Sequence, residues 1–186
     1  SIRRQRQMCI RDSLGTPTNI SATDDGELVV RAIIEEEIEH ASGTGKAYIW
    51  HSANTDIDAG DTILFVKNTG SEFMVLDRMF IHPANVSCRY SINYGSATTT
   101  PAGTLITGNG MNSSISTPAD SLAYHDETAV ADGTEIAAYT CGTTESCEVP
   151  MHGFILGKNQ YIQINQETES TSGQISLFGH FSSEIG

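Results

Sequence analysis

The residues in this chain that could do chemistry are few and dispersed. Six histidines occur, at His40, His51, His82, His125, His152 and His180. None lies two to four positions from another, which is the spacing that lets one strand or helix offer two imidazoles to a zinc or iron ion. Such scatter reads as surface or interface histidines and supplies no metal ligand set. His125-Asp126-Glu127 is the one tight polar cluster, and a loop of that composition reads as solvated surface. Cys141 and Cys147 flank Gly142-Thr143-Thr144-Glu145-Ser146. That spacing permits a loop-closing disulfide and is equally compatible with two reduced thiols. Cys88, in a β-type run between Ser87 and Arg89, reads as a structural residue. Carboxylates are plentiful, yet nothing singles out a pair for acid–base work. There is no Gly-x-Ser-x-Gly elbow, and Gly108-Asn109-Gly110 stands too isolated to act as a phosphate loop. The expectation is a protein with no catalytic residue, metal or cofactor. Aromatic rings on an open β face can stack on a sugar, which makes Tyr48, Trp50 and Tyr124 candidates for ligand stacking, with Asn- and Asp-rich loops as hydrogen-bonding partners. A core position is the favoured reading for Trp50.

The elements that would position these side chains are β-strands. Asp61 to His82, DTILFVKNTGSEFMVLDRMFIH, reads as strand, turn and strand. Ile63 to Val66 is apolar and β-branched, Asn68-Thr69-Gly70-Ser71 has turn chemistry, and Phe73 to Ile81 is apolar on both faces. We take this as a hairpin at the centre of a β-sandwich. From Lys46 onward the pattern repeats: Ala47–Ser52, Val86–Tyr94, Gly103–Thr107, Glu135–Tyr139, Val149–Leu156, Gln160–Gln166 and Gln174–Phe181 are β-type runs separated by Gly, Asn, Ser, Thr or Pro. In YIQINQ, Tyr161 and Gln163 face one way, and Ile162 and Ile164 the other. Gly157-Lys158-Asn159 reads as a hairpin turn. The polar segment Gly95 to Asp132 contains only weak strands and reads as a set of surface loops at one end. Short strands at this spacing, with no helices of crossover length, predict an all-β antiparallel two-sheet sandwich, jelly-roll-like, with an N-terminal arm. In that arm Glu27–Ile34 has β character, and Ile34, Ile38 and Ala41 fit one helical stripe.

Composition sets the limits. A chain of 186 residues suits one domain with an arm, and its wealth of Thr, Ser, Gly and Asn favours strands and polar turns. A net charge of −13 opposes binding to nucleic acid phosphates. No apolar run reaches membrane-spanning length. Arg3 to Asp12, RRQRQMCIRD, matches the translation of a transposase-type sequencing adapter, CGT-CGG-CAG-CGT-CAG-ATG-TGT-ATA-AGA-GAC. We therefore read residues 1–13 as an adapter-derived artefact of assembled environmental DNA, 14–45 as the arm and 46–186 as the sandwich domain. Without its four arginines and one aspartate the chain is more acidic still.

Five stretches carry a resemblance: GELVVRAI, EEEIEHAS, AYIWHSANTDIDAGDTILFVKNT, TPAGTLITGNGMN and the closing GQISLFGHF. In style and spacing they resemble the β-sandwich virion proteins of tailed bacteriophages, the head decoration, cement or fibre-type proteins. The resemblance implies a non-enzymatic virion protein that forms a homo-oligomer, a trimer by preference, and binds phage capsid proteins. It assigns no binding residue. The reading from another class is a carbohydrate- or receptor-binding sandwich, with a glycan as partner at the three rings named above.

Overall fold

Runs rich in β-branched and aromatic side chains between Ala47 and Ser182 become the principal strands of two packed sheets. The structure is a computed structural model. It describes residues 37–54, 57–82, 84–96, 103–114, 117–125 and 133–183, with four short strands before them. The chain divides into two units, 1–35 and 36–186. In the first, β1 (Cys9–Arg11) pairs antiparallel with β2 (Pro17–Asn19), and β3 (Ser21–Ala22) with β4 (Leu28–Val29). The remainder of the Glu27–Ile34 run lies outside the described residues.

The second unit opens with α1 (Glu37–Gly43). Ile38 and Ala41 bury against Ala47 and Phe178, so the helix belongs to the sandwich unit and not to the arm expected to run to residue 45. Its end follows from Gly-Thr-Gly-Lys. Gly45 adopts φ 76°, its N–H reaches Ser42 O, and Lys46 N–H reaches Ala41 O at 2.8 Å, which is the paired bonding of a Schellman cap. Then come β5 (Ala47–Asn54), β6 (Asp61–Asn68), β7 (Phe73–His82), β8 (Cys88–Ser96), β9 (Thr104–Ile106), β10 (Asn109–Gly110) and β11 (Ser121–His125). The last four are β12 (Thr134–Cys141), β13 (Cys147–Leu156), β14 (Gln160–Gln166) and β15 (Gly173–Ser182).

Sheet I has the order β10-β5-β15-β7-β13, and sheet II the order β12-β8-β14-β6-β11-β9. Setting aside the short β9, β10 and β11, the pairs are nested: β5 with β15, β6 with β14, β7 with β13, and β8 with β12. All are antiparallel. A long two-chain ribbon folded over in this way is the jelly roll.

The nesting overturns two hairpins. β6 and β7 do not pair with each other; they lie in opposite sheets, and residues 69–72 form a corner between the layers. Likewise Gly157-Lys158-Asn159 carries the chain from β13 in sheet I to β14 in sheet II. Asn68 holds the two corners side by side. Its Nδ2 donates to Glu72 O and to Leu156 O, both at 2.8 Å, and its Oδ1 accepts from Gly70 N–H at 2.9 Å. Its own carbonyl accepts from Asn159 N–H at 2.8 Å. The weak strands of segment 95–132 join both sheets. β11 extends sheet II along β6, β9 pairs with β11, and β10 adds to β5.

The inner faces meet in one core containing Trp50, Ile63, Leu64, Val66, Met74, Leu76, Met79, Ile81, Tyr90, Ile92, Ile162, Ile164, Ile175 and Leu177. β7 is not apolar on two equal faces. Met74, Leu76, Met79 and Ile81 are buried, while the intervening residues are only half-buried. A bulge at Asp77, where the register with β15 slips between Phe178 and Gly179, shifts the alternation by one. Gly179 is required at that point, since a Cβ there would lie 2.6 Å from Val75 O.

Candidate functional site

Among the described residues, the outer face of sheet I brings several chemically capable side chains together. β15 lies between β5 and β7. Ser176 sits in register with His51 on β5 and with Phe80 on β7. His51 Nδ1 lies 3.0 Å from Ser176 Oγ, and His82 Nε2 lies 3.2 Å from the same oxygen. Ser146 Oγ approaches the other nitrogen of His82 at 3.4 Å. Further along, Phe80 and Phe178 meet edge to face at 5.7 Å, and the bulged Asp77 accepts from His180 Nδ1 at 3.1 Å. Sequence spacing hid the His51–His82 pairing, because only cross-strand register brings these two positions together. His180 is buried within the chain, in contrast to the surface or interface histidine expected.

Sheet II presents a different outer face. Phe65 and Tyr161 stack at 4.9 Å, with Tyr124 packed against them. Beside them, Gln163 Nε2 donates to Thr62 Oγ1 and Asn165 Oδ1, Thr62 donates to Asn165, and Ser91 donates to Glu167. Arg89 reaches Glu135 at 2.9 Å. These polar side chains hold the strands in register from outside, so the alternation read in YIQINQ separates core from polar ladder rather than core from open water.

At one corner Cys141 ends β12 and Cys147 begins β13. The two are joined by a disulfide with Cα atoms 6.1 Å apart, so the bond ties sheet II to sheet I at their outermost long strands. Cys88 is Cys141's register partner on β8 and is buried. Burial pushes its thiol pKa upward, partly offset by the hydroxyls of Tyr90 and Ser170. Burial likewise raises the Tyr90 phenol, with Cys88 adding to the effect.

The sheet edges are unequal. β9 has three residues and β10 has two. β13 carries Pro150, a register break between Pro150 and Phe154, and Gly153 at φ 84°. Those are the devices that keep an edge from pairing with another chain. β12 has neither proline nor lysine along its eight residues. It exposes Ile136 at 40% and Tyr139 at 36%, with one bulge near its start. Near the β13 edge, Tyr94, Gly153, Phe154 and Ile155 line a shallow cleft of about 220 Å³.

The three rings proposed for ligand stacking are not brought together on one open surface. Trp50 is 0% exposed and donates from Nε1 to Ser121 Oγ at 2.9 Å. Tyr48 is 3% exposed, and its hydroxyl contacts Gly45 O and Thr117 O, both at 3.1 Å. Burial, then the carboxylates of Asp120 and Glu72, raise its pKa. Both rings are core, which is the position favoured for Trp50 and a correction for Tyr48. Tyr124 alone keeps partial exposure. Asp126 and Glu127 lie outside the described residues, as does the side chain of His152. Among the described residues no group of three His, Cys, Asp or Glu side chains could hold a metal ion, and no helix is long and apolar enough to cross a membrane. No family model, no curated protein and no solved structure matches the chain.

Proposed function

We propose that this chain is a non-enzymatic structural subunit of a bacteriophage virion, a decoration, cement or head-fibre protein that self-associates and attaches to the capsid. The observation that carries the reading is the contrast between the sheet edges. Among the described residues two are very short and β13 carries a proline and a wide register break, while β12 offers eight residues, bulged once at Ile136, with Ile136 and Tyr139 exposed. An edge of that length, free of proline and lysine, suits strand addition by a second copy or a lattice protein. A jelly roll fits a particle subunit because its core is complete within one chain while its edges remain for assembly; fold alone supports this only by analogy. Repetition over a lattice then turns weak single contacts into lasting attachment.

The test begins with the genes beside this one on its source DNA, among which the reading expects a major capsid protein. Particles assembled from it should carry the purified chain down on sedimentation, saturably, and Ile136→Lys with Tyr139→Lys should abolish that. A gene neighbourhood without capsid or portal genes, or particles that leave the chain in the supernatant, would refute the reading. The glycan alternative loses Tyr48 and Trp50 to the core and is not carried further.

A further inference from the structure

We propose that His51, His82 and Ser176 form a binding site for one divalent transition-metal ion of the zinc, copper and nickel class, on the outer face of sheet I. Two imidazole nitrogens, one from each strand flanking β15, converge on a single point. His51 Nδ1 stands 3.0 Å and His82 Nε2 3.2 Å from Ser176 Oγ. The ring centroids are 6.2 Å apart, and the ring planes cross at 76°. Neutral imidazole is the ligand that zinc, copper(II) and nickel(II) favour. A zinc–nitrogen bond is about 2.0–2.1 Å long. Ring rotation that turns both nitrogens toward one ion would give it two imidazole ligands, with the Ser176 hydroxyl as an oxygen neighbour. His51 is exposed and His82 half-buried, so an ion enters directly from water.

A second contact prepares His82 for this role. Ser146 Oγ lies 3.4 Å from His82 Nδ1. When Nδ1–H donates to that hydroxyl, the lone pair of Nε2 faces Ser176. Metal-ligating histidines are commonly fixed by such a bond from the opposite ring nitrogen. Ser146 belongs to the loop closed by the Cys141–Cys147 disulfide, so the bridge also holds this positioning residue. The chain's net charge of −13 concentrates cations around it. Two side-chain nitrogens leave coordination positions open to water or to a ligand from another molecule, unlike a closed structural zinc site with four protein ligands. The inference does not depend on the virion reading.

The test is titration of the full-length chain with zinc chloride against a chromophoric chelator, repeated with nickel. One ion per chain is expected. His51→Ala and His82→Ala should each weaken binding at least tenfold, while His40→Ala, on α1, should leave it unchanged. Ser146→Ala should weaken it by a smaller factor. His51 is exposed, so its variant should keep the wild-type melting temperature, which separates lost binding from lost folding. Copper(II) added to the wild-type protein should broaden the His51 and His82 ring-proton resonances first, a readout that needs no substitution. Equal affinity in the wild type and in the His51→Ala/His82→Ala double variant would overturn the site. So would the absence of any stoichiometric ion.

Discussion

Trp50 decides between a packed interior and a ligand-facing ring, and it can be perturbed cleanly because it is the only tryptophan. It is fully buried, its ring centroid is 6.1 Å from that of Tyr48, and its Nε1–H is bonded to Ser121. The packing is close. A Cβ added at Gly108 would lie 2.7 Å from Nε1, and one at Gly179 would lie 3.4 Å from the six-membered ring. Trp50→Ala should cost about 3–5 kcal/mol through lost burial and the cavity left behind. Losing the bond to Ser121 places the expectation in the upper part of that range. For a chain of this size each kcal/mol moves Tm by about 2–4 °C, so Tm should fall by about 8–20 °C. Trp50→Phe keeps most of the ring but loses the hydrogen bond, and should cost roughly 1–2 kcal/mol. Urea unfolding followed by circular dichroism gives both values. In the wild type, Trp50 emission should be blue-shifted and poorly quenched by acrylamide until the protein unfolds. A Trp50→Ala cost under about 1 kcal/mol, or quenching in the native state equal to that of free indole, would refute the core assignment and restore the ring as a stacking surface.

Three further outcomes follow from the corners. Cys147→Ser opens a loop of sequence separation 6, and chain entropy alone predicts a loss of about 2 kcal/mol, seen as a Tm drop of about 4–8 °C; an unchanged Tm would show that the bridge does not tie the sheets. Asn68→Ala removes the donors to Glu72 O and Leu156 O and should cost about 2 kcal/mol or more; a neutral result in urea melts would mean the corners hold without it. Burial raises the Cys88 thiol, so little thiolate is present at neutral pH. In a Cys9→Ser background, iodoacetamide should label Cys88 slowly in the native state and quickly in urea; equal rates would place the thiol at the surface.

The sequence carried the strands better than their arrangement. Gln160–Gln166 shows as a run in the sequence and is a strand with those same ends, because its apolar side chains alternate and its flanks break. Asp61–His82 misled because Asn, Gly and Ser announce that the chain turns but not whether it returns to the same layer. That choice was made by Asn68, whose side chain bonds to Leu156 far along the chain. β11 was hard to see because SLAYH is short and sits in a polar segment, and its partner β6 supplies the order. Trp50 was favoured as core because a tryptophan on a sandwich strand is commonly buried, whereas Tyr48, on the same face of that strand, was not excluded as a surface ring until Thr117 and Gly45 were found around its hydroxyl. The His51–Ser176–His82 grouping had no sequence signal at all. It depends on β15 lying between β5 and β7, which is long-range register.

The claim on which the account rests is that β12 is an edge built for assembly. Light scattering on the purified chain, at micromolar concentration, measures it directly. The prediction is a homo-oligomer, a mass of at least two chains of 20.0 kDa each, which falls to a single chain when Ile136 and Tyr139 are both replaced by lysine. A wild-type protein that scatters as one chain across that range, or an oligomer indifferent to both lysines, would contradict it.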